Sequence, residues 1–523
     1  MAAVSIDLSM KRVTNEEFIK KAKAAEPELI RKKVMPESLV WITGDQRAVP
    51  RAGVEELKNI RLSKGDSVVL DFGDHQVGYV TLKLHSEGSP QDAPAFLRLK
   101  FGECAKELLE DSASYDGWIS RGWIQEEMIH IDVLPAQLKL PRRYAFRYLE
   151  IYAVDTSLKF QVVVDEAVCE TVSAVSMDKT DVLPLKDSML QRMDRVSLRT
   201  LQNCMQSVFE DGPKRDRRLW LGDLRLQALA NYCTFGNMDL VKRCLYLFAG
   251  LTRDDGAIGA CLFIEPEYIV DDTFMFDYSL FFVAALKDYF EASGDLETVR
   301  ELWPSAYRQI ELAGVQFDEK HLVKEGEGTI WCFLDWKEGL NKQAGAQAVY
   351  IYALEAGIFL AELLGETEPA ASMREEKEAC RKAAVQYLWD EEKKLFVSGA
   401  DRQISYASQV WMVLADVKEG KEAAELLNRV TEMNPEMGMV TPYMNHHYVE
   451  ALLICGQKER ALSYMKYYWG GMLEKGADTF WEAYDPEAPE ASPYGSTAVN
   501  SYCHAWSCTP SYLLRKYFLE EAE

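Results

Sequence analysis

The hydrophobic pattern of this chain changes its period once, near residue 180, and this change restricts the fold more than any other feature. Before that point, short runs rich in β-branched and aromatic residues, such as Ser67–Phe72 and Val77–Leu84, are separated by Gly, Pro and Asp. This pattern predicts an antiparallel β-sandwich. We therefore expect a β-sandwich domain over residues 41–180, preceded by a helical segment over residues 1–40.

After residue 180, apolar residues recur at helical spacing in about a dozen segments, from Met189–Val208 to Ala498–Leu519. Long connections rich in Trp, Asp, Glu and Gly alternate with short ones. Paired helices joined in this way are typical of an (α/α)6 barrel, which gathers its long loops at one mouth. The sequence thus predicts a multidomain α and β protein, with an (α/α)6 barrel over residues 181–523.

Charge and cysteine usage restrict the partners and the compartment. The 523 residues include 83 acidic and 59 basic ones, giving a formal net charge of −24. Such a surface repels phosphate backbones and anionic lipids, so neither nucleic acid nor a membrane is an expected partner. The chain starts without a leader pattern, and its eleven scattered cysteines indicate a reducing compartment, which predicts a cytoplasmic protein.

No cofactor is expected, and these patterns do not encode the oligomeric state. The cysteines lack the spacing of a zinc site. The adjacent His446 and His447 would point about 100° apart on a helix, which disfavours a shared metal ion. The sequence therefore shows no recognisable metal site.

One loop, Phe209–Asp223, combines charged residues with a tryptophan just before a helix. Asp211 and Asp223 could accept hydrogen bonds from the vicinal hydroxyls of a sugar, and the indole of Trp220 could cover the C–H face of its ring. The same residues are also explained as an ion-paired start of a helix, with Asp223 as the N-cap. Both interpretations stay open at this point.

Two further loops place a carboxylate beside tryptophan. Glu482 follows Trp481, and desolvation by aromatic neighbours can tune the pKa of a glutamate for acid or base work. Such pairs are also common on protein surfaces. In the segment Ile330–Trp336, Asp335 lies among apolar residues, so it is either partnered in the core or faces a cleft.

Two of these loops resemble the active-site motifs of glycoside hydrolase family 78, the bacterial α-L-rhamnosidases. Asp211–Asp223 is similar to the family's D-C-P-x-R-D-E-R-x-G-W-x-G-D, and Met472–Glu482 is similar to M-L-x-x-G-A-T-T-x-W-E. Thr441–Tyr443 matches the family's T-P-Y, and Val69–Gly73 with Val77–Tyr79 resembles strands of its β-domain. The likeness runs in order from about residue 65 to the C-terminus.

The resemblance implies an exo-acting glycosidase whose (α/α)6 barrel hydrolyses a terminal rhamnoside of an oligosaccharide or glycoside with inversion. It makes Glu482 the general base that activates water. The remaining expected substrate-binding residues would line the same cleft: Asp211, Trp220, Asp223, Trp331, Asp335, Trp336, Trp481 and His504.

One departure from the family pattern bears on the mechanism. The family's general acid is the glutamate directly after R-D, and Arg217 stands there in this chain. A guanidinium cannot protonate a glycosidic oxygen at neutral pH. The neighbouring Asp216 becomes the candidate acid if the loop, which is one residue shorter before Trp220, shifts its register.

Arg217 also opens alternatives for the substrate and the reaction. A guanidinium in the cleft could hold a carboxylate through two hydrogen bonds, which points to an acidic glycan. The chain could then be a lyase that removes rhamnose from a uronate by β-elimination, with Tyr443, His446 or His504 as the base. A non-catalytic sugar-binding protein is the third interpretation.

Overall fold

The computed structural model describes residues 10–325, 331–489 and 491–519. It begins with a short strand and a helix, β1 (Arg12–Thr14) and α1 (Glu16–Ala24). Within the described residues, ten antiparallel strands follow and form one sheet: β2 (Ile30–Val34), β3 (Ser38–Ile42), β4 (Ala48–Gly53), β5 (Arg61–Leu62), β6 (Ser67–Gly88), β7 (Ala95–Gly102), β8 (Glu126–Ile131), β9 (Ala136–Lys139), β10 (Tyr144–Asp155) and β11 (Phe160–Ser173). The prediction of a β-rich N-terminal domain is confirmed.

The longest strand, β6, joins strands β10 and β11 into one sheet, because its two halves pair with different strands. Residues 67–78 pair with β10, and residues 78–88 pair with β11. Alternate side chains of β6, including Val68, Leu70 and Leu82, are buried in one apolar core. The period of two in the sequence therefore corresponds to one buried face of the sheet.

In the segment 1–40, expected to be helical, the one helix among the described residues 10–40 is α1. The side chain of Asn15 caps the start of α1, and Pro27, which lies just beyond its end, cannot continue a helix. Residues 30–34 form the edge strand β2, which pairs with β11. Its Arg and Lys side chains suit an exposed edge as well as a solvated helix, which explains the difference. Residues 1–9 lie outside the described residues.

Twelve α-helices follow in the part of the chain that the structure describes: α2 (Ser188–Cys204), α3 (Leu221–Tyr232), α4 (Met238–Gly250), α5 (Phe276–Ser293), α6 (Leu296–Gly314), α7 (Gln343–Leu364), α8 (Thr367–Ala383), α9 (Tyr406–Leu414), α10 (Gly420–Met433), α11 (Pro442–Ile454), α12 (Lys458–Glu474) and α13 (Pro510–Phe518). The odd-numbered helices from α3 to α13 contact one another in a closed ring, and the even-numbered helices pack against them from outside. The predicted (α/α)6 barrel is confirmed.

Two helices show why local pattern and final structure agree or differ. By length and composition, helix α7 is long and apolar enough to cross a membrane. However, 67% of its apolar 18-residue segment is buried inside the protein. A helix that is apolar all round suits the inner ring of a barrel. Helix α13 begins at Pro510 rather than at the expected Ala498, because Pro510 fits the first turn, where its missing N–H leaves no hydrogen bond unmade.

Short strands connect the loops of the barrel. The strands β12 (Leu219–Trp220), β14 (Cys261–Phe263) and β15 (Ile269–Val270) form a small antiparallel sheet. Strand β13 (Leu251–Arg253) pairs with β1, which holds the N-terminal segment against the barrel. The last two, β16 (Trp389–Asp390) and β17 (Leu395–Phe396), form a separate pair. The small sheet fixes Trp220 at the start of α3.

Candidate active site

The first motif loop, residues 209–223, connects α2 to α3 and contacts the β-domain. Lys214 is buried and forms an ion pair with Glu107 of the β-domain. Asp211 closes the loop, because its Oδ1 accepts a hydrogen bond from Arg218 N at 3.0 Å and its own N–H donates to Arg218 O at 3.0 Å. The geometry of the loop therefore depends on both domains.

The tip of this loop contains two consecutive residues with left-handed backbone conformations. Asp216 has a φ of 65° and Arg217 a φ of 53°. Residues other than glycine adopt such values rarely, and they persist where the surrounding structure enforces them. The charged side chains of the tip therefore face different sides. Arg215 and Asp216 line a cavity, whereas Arg217 does not.

The cavity has a volume of about 460 Å³ and lies where the loops preceding α3, α5, α7 and α13 meet. This volume is in the range of small-ligand sites. Eight of the residues predicted from the sequence line it together: Asp211, Asp216, Trp220, Asp223, Trp331, Trp336, Glu482 and His504.

Glu482 is held in the cavity by two side-chain donors. Its Oε1 accepts a hydrogen bond from the hydroxyl of Tyr494 at 2.6 Å, and its Oε2 accepts one from Arg215 Nη2. Its backbone carbonyl accepts a hydrogen bond from Trp506 Nε1 at 2.9 Å. These contacts orient the carboxylate, as a base that must align a water molecule requires.

His504 lies between three carboxylates without a hydrogen bond to any of them. Its Nδ1 is 3.5 Å from Asp223 Oδ1, and its Nε2 is 3.9 Å from Asp211 Oδ2 and 3.7 Å from Glu482 Oε1. Burial, and secondly the charge of Arg215, lower the pKa of His504 well below its ordinary value. The imidazole is therefore neutral at physiological pH, with one donor and one acceptor nitrogen.

Several buried polar atoms of the cavity wall have no hydrogen-bond partner in the described part of the chain. They are His504 Nδ1, Asp223 Oδ1, Trp220 Nε1 and Arg215 Nε. Burial raises the pKa of both Asp211 and Asp223 well above the ordinary value. Because buried polar atoms are normally paired, these atoms are available to a ligand. A polyhydroxylated ligand offers the donors and acceptors that they need.

Aromatic side chains form the rest of the wall. The rings of Trp331 and Trp336 are partly exposed, and Trp336 packs edge-on against Tyr494 and Trp506 at 5.8 and 5.2 Å. Trp118, from the β-domain, is 64% exposed and its ring centroid lies 5.9 Å from that of Tyr494. Exposed indole rings beside polar groups suit contact with the C–H face of a sugar.

Comparison with known families agrees with this geometry. Residues 41–171 match the N-terminal domain of glycosyl hydrolase family 78 α-rhamnosidases, and residues 178–518 match the bacterial α-L-rhamnosidase six-hairpin glycosidase domain. The chain belongs to glycosyl hydrolase family 78. It is a glycoside hydrolase of the α-rhamnosidase type.

Solved structures support the family 78 assignment. A rhamnosidase from Klebsiella oxytoca with rhamnose bound is 47% identical, with a TM-score of 0.95 over 97% of this chain and 100% of that one. The family 78 rhamnosidase of Bacillus sp. GL1 is 22% identical, with a TM-score of 0.74 over 90% of this chain and 49% of that one. The Streptomyces avermitilis α-L-rhamnosidase complexed with L-rhamnose is 17% identical, with a TM-score of 0.66 over 94% and 44%. The last two share the fold. Comparison with curated proteins gives no match.

In this family 78 enzyme, Arg217 does not reach the cavity, which corrects its expected role in holding a substrate carboxylate. Its Nη2 donates a hydrogen bond to the backbone carbonyl of Arg143 at 2.9 Å, and its guanidinium lies 5.9 Å from the ring centroid of Trp123. Burial, and secondly the charge of Arg143, lower the pKa of Arg217 to about 10. Arg217 therefore joins the loop tip to the β-domain, and Arg215 is the cation that lines the cavity.

Asp335 and Trp481 also lie outside the cavity wall, so their expected substrate-binding roles are corrected to structural ones. Asp335 Oδ1 accepts hydrogen bonds from Thr441 N at 3.0 Å and Thr441 Oγ1 at 2.8 Å, which anchors the T-P-Y motif at the start of α11. The Trp481 ring packs edge-on against Tyr484 and Tyr502. Both residues support the loops that carry the site.

Other lining residues of the family 78 site were not identified from the sequence. Trp118 lies in a β-domain loop far from both motifs, and Tyr494 follows a Pro and Ser run that has no period. Trp506 stands two residues after His504, and this closeness to a predicted site residue is a signal in the sequence that could have identified it. The remaining residues of this kind are Arg215, Met275, Tyr278, Phe333 and Pro493.

Proposed function

We propose that this enzyme removes a terminal α-L-rhamnosyl residue from a glycoside by inverting hydrolysis. The observation that carries the proposal is the carboxylate of Glu482, which two donors hold in a cavity where several other buried polar atoms, including His504 Nδ1 and Asp223 Oδ1, lack partners in the described part of the chain. The rhamnose bound to the Klebsiella oxytoca rhamnosidase and the L-rhamnose bound to the Streptomyces avermitilis enzyme support the identity of the sugar.

In the proposed reaction, Glu482 accepts a proton from a water molecule while the water oxygen attacks the anomeric carbon. The bond between that carbon and the glycosidic oxygen breaks, and Asp216 donates a proton to the leaving oxygen. The products are rhamnose of inverted anomeric configuration and the free aglycone alcohol. Glu482 then returns a proton to solvent, and Asp216 takes one up.

Asp216 is the proposed acid because it lies at the exposed edge of the cavity. Its side chain is 26% exposed, compared with 7% for Asp211 and 3% for Asp223. In an exo-acting enzyme the sugar fills the pocket and the leaving group points toward solvent, so the acid must lie near the opening. Arg215 Nη1 is 3.7 Å from Asp216 Oδ1, and Arg215 Nη2 donates to Glu482. One guanidinium thus separates the two carboxylates, in keeping with the wider spacing that inversion requires.

An acidic substrate and a lyase reaction have less support. Arg217 lies outside the cavity, and Arg215 is paired with Glu482. Of the three candidate bases for β-elimination, Tyr443 and His446 do not line the cavity. We therefore propose a neutral rhamnoside as the substrate and water as the second reactant.

The anomer released first tests the stereochemistry. Proton NMR of an aryl α-L-rhamnoside during hydrolysis should show β-L-rhamnose before mutarotation, because water attacks from the face opposite the leaving group. Release of α-L-rhamnose first would overturn the inverting mechanism.

The role of Asp216 is tested by varying the leaving group. For Asp216→Asn we expect kcat/KM on an alkyl rhamnoside to fall by about 10²–10⁴-fold, the usual range for a lost general acid. The loss should be much smaller for a nitrophenyl rhamnoside, whose leaving group needs little protonation. Equal losses on both substrates would contradict the assignment of Asp216.

A further inference from the structure

A cluster of three ligand-type side chains lies on the outside of the barrel, away from the cavity that carries the proposed reaction. His321 belongs to the connection between α6 and α7, and Glu376 and Cys380 are one turn apart on α8. His321 Nδ1 lies 3.3 Å from Glu376 Oε1, and Cys380 Sγ lies 3.4 Å from the same oxygen. The three atoms lie within 4.8 Å of one another.

These separations match the edges of a tetrahedral zinc site. With metal–ligand bonds of about 2.0 Å to nitrogen and oxygen and about 2.3 Å to sulfur, the N···O edge is about 3.3 Å and the O···S edge about 3.5 Å. The two measured distances equal these edges within 0.1 Å. Only the separation of nitrogen and sulfur would need to shorten, by up to about 1.3 Å, and the side chain of His321, which is 46% exposed, is able to move.

A buried glutamine holds the backbones that carry two of these ligands. The side-chain amide of Gln347 on α7 donates hydrogen bonds to the backbone carbonyl of His321 at 2.8 Å and to that of Cys380 at 3.1 Å. Its Oε1 accepts a hydrogen bond from Val323 N at 2.9 Å. One side chain therefore fixes the loop relative to α8, as supporting contacts do around metal sites.

The backbone of His321 is itself in an unusual conformation. Its φ is 58°, in the left-handed region that residues with a side chain adopt rarely. The turn is closed by a hydrogen bond from His321 N to Asp318 O at 3.0 Å. The contacts of the turn and of Gln347 thus hold the backbone of His321 beside α8 and leave its side chain able to adjust.

We propose that His321, Glu376 and Cys380 form a binding site for a divalent metal ion of the zinc class. An imidazole, a carboxylate and a thiolate are ligands that zinc and cobalt accept, whereas magnesium and calcium prefer oxygen. The carboxylate and the thiolate together neutralise the charge of the ion. On binding, the Cys380 thiol loses its proton to solvent, and water takes the fourth position on the exposed side.

Such an ion would join the α6–α7 connection to α8. No local pattern indicates this site, because His321 precedes Glu376 by 55 residues and the spacing of known zinc motifs is absent. The active-site cavity shares none of these residues. The inference is therefore independent of the proposed reaction.

Cobalt is the probe that tests the site. Chelator-treated full-length enzyme should bind one Co²⁺ per chain with a thiolate-to-cobalt charge-transfer band, and Zn²⁺ should remove the band by displacement. Zn²⁺ should also raise the unfolding temperature, since it binds the folded state. Absence of the band in the natural protein would overturn the proposal without reference to any variant.

Matched variants locate the ion. Cys380→Ser should abolish the band, and Glu376→Gln should weaken Co²⁺ binding by about tenfold or more, in the range for altered metal surroundings. Glu375→Gln, one residue away, is the control and should bind as the natural protein does. Cys233→Ser combined with Cys455→Ser removes an exposed and a half-buried thiol outside the cluster and should keep the band. A band that persists in Cys380→Ser, or equal binding by the two glutamine variants, would refute the site.

Discussion

Replacing Glu482 by glutamine should lower both activity and stability, and the structure gives a separate reason for each. The proposed base loses its proton affinity, so kcat should fall by about 10²–10⁴-fold. KM should change much less, because the amide keeps the shape of the side chain and one acceptor oxygen.

The loss of stability follows from the loss of charge. The amide oxygen of glutamine can accept from Arg215 while its NH2 donates to the hydroxyl of Tyr494, so both contacts can persist, but Arg215 no longer pairs with a carboxylate. A hydrogen bond to a charged group contributes about 1.5–3 kcal/mol, and an unpaired buried charge costs about 3–5 kcal/mol. In the variant, Arg215 still has Asp216 at 3.7 Å and the ring centroid of Tyr494 at 4.3 Å, so its charge is not left without a partner. We therefore expect the free energy of unfolding to fall by about 2–3 kcal/mol.

Steady-state kinetics on an aryl α-L-rhamnoside and urea unfolding measure the two effects. Asp478→Asn is a matched control, because Asp478 is a carboxylate on the same loop that pairs with Arg147 at 3.3 Å outside the cavity. The control should lose stability but keep kcat within about threefold. A Glu482→Gln enzyme that is destabilised but keeps more than a tenth of its kcat would refute the assignment of the base.

Three other substitutions test the rest of the site. Burial raises the pKa of Asp223, so the charge of this residue is unfavourable in the folded state. Asp223→Asn should therefore raise the free energy of unfolding at pH 7 by about 1–2 kcal/mol. The same substitution should weaken substrate binding. That gain in stability, measured by urea unfolding, should shrink as the pH falls and vanish below the ordinary pKa of aspartate, where both states hold the proton, and a pH-independent gain would contradict it. Trp118→Ala should raise KM for aryl rhamnosides by about 2–10-fold and leave methyl rhamnoside unchanged, so equal effects would exclude aglycone contact. Arg217→Glu should not raise kcat on an alkyl rhamnoside, because this side chain points to Arg143, and a gain would show that it reaches the substrate.

Much of the fold was predictable because local pattern and tertiary structure agree. The period of two over Val77–Leu84 corresponds to the buried face of β6, and the helical period over Ala344–Leu364 corresponds to α7. The T-P-Y motif begins α11, with Thr441 as N-cap and Pro442 in the first turn. Each of these signals is local, so distant residues do not change it.

The division of roles among the site residues was less predictable. Asp335 and Glu482 both stand beside tryptophan in the sequence, and both become buried carboxylates. They differ in their donors, since Asp335 accepts backbone N–H groups from residues more than 100 positions away, whereas Glu482 is held by side chains that leave it facing the cavity. Only the closed barrel brings these donors into place, so no local pattern separates a structural carboxylate from the candidate base.

The loop tip of this family 78 enzyme places Asp216 in the cavity wall and Arg217 outside it. The guanidinium of Arg217 donates a hydrogen bond to the backbone carbonyl of Arg143 in the β-domain. That contact, together with the ion pair of Lys214 and Glu107, holds the tip in a conformation where Asp216 has a positive φ and lines the cavity. The β-domain thus supports the backbone turn that places the proposed acid. We therefore expect that weakening the contacts between the loop tip and the β-domain impairs proton donation before it affects binding of the sugar. The deeper lining residues, such as Asp223 and His504, belong to the barrel.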